Sequence, residues 1–390
     1  MNRTMPNAMR VSGLVSRRLL LRSAAFGAAA VSLSRFAIAD EPTTRPADFS
    51  FVCMGDLHLD QLAHHDMDWL RREKANDIRQ VENYSRITAE ITPKLFDRVR
   101  KTVATLPGTP FVLQLGDLVE GLCGTPALAR KHCEDALAMV QDARFGAPML
   151  FVKGNHDITG PGAVEAFDQV LKPSNKHPGL ARAKGANFTV DVGTSRFVFF
   201  DAYQADEALE WLPTALDGRA LDSGATFFVI HPPVVPYTGR CWHVFNRPNQ
   251  QEKRNKLLAM LADANGIVLN GHLHRYGLMT RTLAQRQFSQ FSVLSVVPDL
   301  DPKVREELYG REAYGASVTD LEPKFSPNTL EDRRRLLEAE KEFVTRYEHA
   351  NTSGYAVIHV RGQDVTADYY RGIGGQLWRS VQISQPRVGA

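Results

Sequence analysis

Phe111-Val112-Leu113-Gln114-Leu115-Gly116-Asp117 decides how this chain is read. An apolar run of strand length stops abruptly at a glycine, and an acid follows. The same unit recurs outward in both directions. Phe51-Val52-Cys53-Met54 leads into Gly55-Asp56, and Met149-Leu150-Phe151-Val152 leads through Lys153 into Gly154-Asn155-His156-Asp157. Phe227-Phe228-Val229-Ile230 leads into His231, and Ile267-Val268-Leu269 leads into Asn270-Gly271-His272. Short continuous apolar runs bounded by turn residues read as buried strands.

Helical periodicity fills the intervals over Tyr84–Thr105, Ala127–Arg144, Gly162–Leu171 and Gln250–Ala264. Strands alternating with helices predict an α/β sheet. Phe188–Val192 and Arg196–Phe200 add two strands. Gln287–Val297, Tyr355–Val360 and Val365–Tyr370 alternate more and predict an antiparallel portion, with Arg361-Gly362-Gln363-Asp364 as a hairpin turn. Two polar stretches read as helical insertions, near residues 60–83 and 301–352, with Leu330–Tyr347 as the clearest helix. The expectation is a signal segment over residues 1–39 and one decorated catalytic domain over residues 40–390.

Asp56, His58, Asp117, Asn155, His156, His231, His272 and His274 all fall at the ends of predicted strands. In open α/β sheets, ligands bind at the carboxyl ends of strands. Any one such residue has a bland explanation as a hydrogen-bonded loop residue. Five separate strand ends that each carry a metal-binding group are not explained that way.

With these residues in view, the chain resembles the calcineurin-like metallophosphoesterase superfamily. The matching pieces are Asp56-Leu57-His58, Gly116-Asp117-Leu118-Val119-Glu120, Gly154-Asn155-His156-Asp157, His231 and Gly271-His272-Leu273-His274. The resemblance implies a four-layer α/β/β/α sandwich: two mixed β-sheets flanked by helices, with metals at one edge. It implies one metal held by Asp56, His58 and His274, another held by Asn155, His231 and His272, and Asp117 bridging the two. Oxygen and imidazole donors without thiolate suit Mn, Fe or Zn. Such a pair acidifies a bound water and neutralises phosphate oxygens, which fits hydrolysis of a phosphomonoester or phosphodiester. The resemblance makes His156 the group that donates a proton to the leaving oxygen or stabilises charge on the phosphoryl group, and makes Glu120 the candidate to orient it, with a solvated surface glutamate equally consistent. Asp157 reads as fixing its turn. Glu120 stands where purple acid phosphatases carry a metal-binding tyrosine, and Gly121 stands where Ser/Thr protein phosphatases carry an arginine. Neither branch is therefore expected. The loop after His231 holds Tyr237, Arg240, Trp242 and His243. Arg240 is the candidate phosphate contact, and ordinary loop packing is equally consistent with it.

The first 39 residues read as an export signal. Ser16-Arg17-Arg18-Leu19-Leu20-Leu21-Arg22 precedes an alanine-rich run from Ala24 to Leu33, and Ala37-Ile38-Ala39 gives a small-x-small cleavage pattern. The paired arginines resemble a twin-arginine signal; a Sec signal or a retained anchor is the alternative. Arg22 and Arg35 interrupt an apolar run already too short to span a bilayer, so stable membrane insertion is not expected. A periplasmic or extracellular location follows from the signal. The chain has 390 residues and a formal charge of +3. The segment contains six arginines and no acid, so its removal takes that charge to −3. This argues against a nucleic-acid partner and for a small phosphate-ester substrate. A catalytically silent metal-binding interaction protein is the alternative. Oligomeric state is not legible. Cys53 reads as a core thiol, while Cys123 and Cys133 have the option of pairing in an oxidising compartment.

Overall fold

A computed structural model describes residues 48–218, 224–237, 243–316 and 330–386. The proposed signal segment, Arg240 and Cys241 lie outside the described residues. In chain order the elements are β1 (Asp48–Met54), α1 (Met67–Glu73), α2 (Ile78–Glu90), α3 (Thr92–Val103), β2 (Val112–Gln114), α4 (Pro126–Ala143), β3 (Met149–Phe151) and α5 (Ala163–Ala166). Next come β4 (Leu180–Lys184), β5 (Asn187–Val192), β6 (Ser195–Phe199), α6 (Ala205–Leu216), β7 (Thr226–Val229), α7 (Gln251–Asp263), β8 (Ile267–Asn270) and β9 (Tyr276–Leu283). The last are β10 (Arg286–Ser292), β11 (Arg305–Tyr309), α8 (Leu330–Lys341), β12 (Val344–Asn351), β13 (Gly354–Arg361), β14 (Asp364–Arg371) and β15 (Gln376–Gln382).

Two mixed sheets result, ordered β15-β14-β13-β1-β2-β3 and β11-β12-β9-β10-β8-β7-β6-β5-β4. β1, β2 and β3 run parallel, and β13 joins β1 antiparallel. β6, β7 and β8 are parallel in the second sheet. Period-two alternation packs the layers. Phe49, Phe51 and Cys53 point into the core between the sheets, while Val52 and Met54 face the helices. Phe227 and Val229 turn inward, while Phe228 and Ile230 pack with α6 and α7 residues such as Leu212 and Leu258. The inter-sheet core centres on phenylalanines: Phe197 stacks on Phe227 at 4.4 Å, and Phe51 meets Phe197 edge-on at 5.2 Å. Each buried ring contributes about 1.5–3 kcal/mol. Helices cover both outer faces, which makes the four-layer sandwich that the resemblance implies.

The sequence reading differs in several places. The helix expected over Tyr84–Thr105 is two helices, because Pro93 in the first turn of α3 has no N–H to continue α2. The helix expected over Leu330–Tyr347 ends at Lys341, and β12 then pairs with β9 as part of the nine-stranded sheet. The charges of that stretch mislead because Glu340 is buried in ion pairs with Arg254 and Arg281. Cys53, Cys123 and Cys133 are free buried thiols, so Cys123 and Cys133 are not joined; Cys123 Sγ lies 3.2 Å from His132 Nδ1 instead. The two-residue hairpin appears as read, with Arg361 opposite Asp364 and Gly362 at φ 60°.

Candidate metal centre

The loops leaving β1 and β2 stay zipped past the sheet. Asp56 N donates to Gly116 O at 3.2 Å, His58 N to Asp117 O at 3.0 Å and Leu59 N to Leu118 O at 2.8 Å. Across the sandwich, Gly271 N donates to His231 O at 3.1 Å. Asp157 ties the β2 and β3 loops together. Its carboxylate accepts from Gly154 N at 2.7 Å, Asp117 N at 3.1 Å and Val119 N at 3.1 Å. Gly154 has to be glycine, because a Cβ there would overlap the backbone and carboxylate of Asp117.

This scaffold holds five side chains on unusual backbone. Asp56, His58, Asp117, His272 and His274 have φ of 49°, 44°, 54°, 70° and 54°. Left-handed non-glycine residues cost on the order of 1 kcal/mol or more each and persist where the surroundings over-determine them. All five are among the predicted metal ligands.

Their side chains form two groups that share one carboxylate. Asp56, His58, Asp117 and His274 bring one donor atom each within 4.8 Å of one another, and Asp117, His231 and His272 do the same. Asn155 Oδ1 lies 3.2 Å from His231 Nε2. Hydrogen bonds aim the donors. His231 Nδ1–H donates to Leu115 O at 2.7 Å, which leaves Nε2 a bare lone pair. Around that nitrogen stand Asp117 Oδ2 at 3.0 Å, Asn155 Oδ1 at 3.2 Å and His272 Nδ1 at 3.2 Å. These separations match neighbouring ligands around an ion bound at about 2.0–2.2 Å. Asp56 Oδ1 accepts from His272 N at 2.8 Å and Asp117 Oδ1 from His156 N at 2.8 Å. Asp56 Oδ2 and Asp117 Oδ2 are buried without a hydrogen bond. Two buried carboxylates with orphaned oxygens beside lone-pair nitrogens fit divalent ions. The electrostatics agree. Burial pushes the Asp56 carboxyl up to about 7, His231 opposing and the Asp117 charge adding to the rise.

Glu120 lies against His156, as expected, and also against His58. Its Oε2 accepts from His58 Nδ1–H at 2.7 Å, which leaves His58 Nε2 for an ion, while His156 Nδ1 is 3.3 Å away. His156 is oriented by the Glu120 backbone instead, donating to its carbonyl at 2.8 Å. The longer glutamate side chain reaches past His156 to the ligand histidine. Burial lowers the His156 imidazole, but the charges of Glu120 and Asp117 outweigh it and leave it at about 9. Sequence reasoning missed three supports. Gln80 Nε2 donates to Glu120 Oε1 at 2.7 Å, Tyr84 stacks on His58 at 4.4 Å, and Tyr203 donates to Asn155 Oδ1 at 3.4 Å. Gln80 and Tyr84 lie in or beside the stretch read as an insertion, and their local sequence carries no motif.

The family profile described as calcineurin-like phosphoesterase matches residues 49–276, more than half of the chain. The chain belongs to the calcineurin-like phosphoesterase family. The match spans every predicted ligand and every strand that carries one. No curated protein sequence matches the chain. Among solved structures it is similar to a purple acid phosphatase from yellow lupin (Lupinus luteus) seeds, with 12% identity over 86% of this chain and a TM-score of 0.50. It spans about half of that protein, 54% of its length. It is also similar to a dimetal phosphatase from Danio rerio, with 12% identity, 87% of this chain and 99% of that one covered, and a TM-score of 0.48. A third similar structure is PhoD, with 11% identity, 88% and 72% covered and a TM-score of 0.45. At these identities the likeness concerns the fold of the family. Among the described residues no helix is long and apolar enough to cross a membrane.

Proposed function

We propose that this member of the calcineurin-like phosphoesterase family hydrolyses a small phosphomonoester or phosphodiester with two metal ions. The observation that carries the reading is the buried Asp117 carboxylate, shared between two ligand groups. Asp56, His58 and His274 would hold one ion, Asn155, His231 and His272 would hold the other, and Asp117 would contribute to both. Mn, Fe or Zn suits these donors. Bound there, the ions supply Lewis-acid charge and an acidified water for in-line displacement at phosphorus. The chain's own residues do the rest. His58 and His231 are locked in the tautomer that offers Nε2. His156, anchored through Nδ1, keeps Nε2 for substrate and is placed to give a proton to a leaving oxygen. Arg240 is the proposed phosphate contact.

The paired Arg17-Arg18 supports export through the twin-arginine route to the periplasm or beyond, and the mature charge supports a small substrate over a nucleic acid. Twin-arginine export carries folded chains, which would let the ions be loaded before the membrane is crossed. The test is metal analysis of the purified mature protein, followed by assays on para-nitrophenyl phosphate and its bis ester. Turnover that Asp117→Asn abolishes is the expected result. Metal-loaded wild type that is inert on a broad ester panel would make the chain a metal-binding protein without turnover.

A further inference from the structure

A cavity of about 310 Å³ lies between α2, the segment that follows β10, and the turn from β12 into β13. Tyr84, Leu294 and Val296 give it an apolar wall, and Thr352, Lys303 and Arg305 give it a polar one. Three contacts fix it to the metal centre. Tyr84 lays its ring on the His58 imidazole at 4.4 Å. Ser295 N, between Leu294 and Val296, donates at 2.7 Å to the carbonyl of Gly55, the residue before Asp56. Glu306, next to Arg305, pairs at 2.8 Å with Arg275, the residue after His274. The cavity therefore borders Asp56, His58 and His274, the predicted ligands of one ion.

The fold does not account for the polar wall. Thr352 is 3% exposed, and its buried hydroxyl has no hydrogen-bond partner. Such a group is costly to keep unless something from outside the chain satisfies it. Lys303 and Arg305 are exposed, and among the described residues neither forms an ion pair. Asp299 also lines the cavity, but it is engaged by its own loop, accepting from Asp301 N at 2.9 Å. Two cations thus face one acid. β11 is irregular between Arg305 and Leu308, with Glu306 at a left-handed φ of 49°. Bulges of this kind re-aim side chains and gather beside active sites.

We propose that this cavity binds the leaving alcohol of the substrate, and that this alcohol carries a second anionic group, a carboxylate or a further phosphate. The inference rests on the phosphoesterase reading above and names its substrate class. With the ester phosphorus at the Asp117 groups, the alcohol lies along Tyr84, Thr352 meets one of its polar atoms, and Lys303 and Arg305 meet its charge. Hydrolysis breaks the bond from phosphorus to this alcohol. Water gives its oxygen to phosphorus, a proton goes to the leaving oxygen, and the second anion leaves unchanged. Unpaired cations at the mouth of a cleft also draw anionic substrates toward it.

Two matched pairs of esters test this on metal-loaded mature protein, with kcat/KM as the readout. A preference for 3-phosphoglycerate over glycerol 3-phosphate assigns a carboxylate. A preference for fructose 1,6-bisphosphate over fructose 6-phosphate assigns a phosphate. Replacing both cations, Lys303→Gln with Arg305→Gln, is expected to cut that preference roughly 3–10-fold, the effect of two solvent-facing charges, with metal content per chain unchanged. Turnover of para-nitrophenyl phosphate without a preference in either pair, or a preference that the double variant keeps, overturns the proposal and leaves the phosphoesterase reading standing. Protein inert on every ester overturns that reading instead, and calorimetry then decides the cavity. Binding of 3-phosphoglycerate or fructose 1,6-bisphosphate that the double variant weakens by the same factor supports an anion site there. Equal binding by both proteins, or none, refutes it.

Discussion

Glu120 Oε2 sits 2.7 Å from His58 Nδ1 and is itself fully buried. This relationship connects a helix that no motif marks to the metal-facing nitrogen of a candidate ligand, because Gln80 on α2 donates to the other oxygen of the same carboxylate. Glu120→Gln removes the charge that fixes the His58 tautomer. Supporting carboxylates of this kind are worth roughly 10–100-fold in metal affinity. A competition titration with a chromophoric chelator is expected to show a loss of that size. Unchanged affinity would mean that His58 needs no orienting partner. Gln80→Leu leaves the charge in place but deprives the buried Glu120 Oε1 of its part-buried hydrogen bond, so the expected cost is stability of about 1–3 kcal/mol in urea unfolding.

His156 donates its Nδ1–H to the Glu120 carbonyl and lies outside both groups of converging donors that share Asp117. His156→Ala therefore separates binding from chemistry. A fall in kcat of roughly 10²–10⁴-fold is expected, with metal content per chain unchanged. Elemental analysis beside steady-state kinetics reads both quantities. Loss of metal in the variant would place His156 among the ligands and count against its role as proton donor.

Gly154 packs its Cα against Asp117, where any Cβ would overlap the bridging carboxylate and its backbone. Gly154→Ala forces the β2 and β3 loops apart. Overpacking of this kind costs about 1–3 kcal/mol. A lower thermal midpoint together with weaker metal retention is the expected outcome, and a variant with both at wild-type values would show that the loops yield freely.

Burial pushes the Cys123 thiol up to about 12 and raises Cys53 and Cys133 as well. The thiolate is the reactive form, so these three should stay silent to a thiol-specific disulfide reagent in native protein. Mass spectrometry before and after denaturation checks this. Rapid labelling of Cys123 in the native state would contradict the packing described here.

Much of the site was readable from the sequence because its ligands end apolar runs. Phe111–Leu115 has to be buried, so the chain has to turn at Gly116, and Asp117 arrives at the sheet edge as a consequence. The supports were not readable, for a physical reason. Gln80 and Tyr84 act through tertiary contact from a polar helix, and a solvent-facing helix carries the same pattern. Glu120 was found beside His156, but its closer carboxylate contact with His58 was not, since residue spacing does not say that a flexible side chain reaches two neighbouring imidazoles. β12 was hidden because Val344–Asn351 carries Arg346 and Glu348, charges that pair with each other at the sheet's margin. β4 and β9 were missed for a similar reason: their polar side chains break up the apolar run that marks the other strands.

The bond from His272 N to Asp56 Oδ1 closes a span of 216 residues and joins the two sheets. Closing so long a span costs loop entropy before the contact rewards it, which slows its formation. Neither half of the chain owns a complete ion-binding pair, so a partly folded intermediate has nothing to load. On the proposed reading, ion capture would therefore wait for the assembled sandwich, and occupancy of the centre would report that both sheets have docked in register.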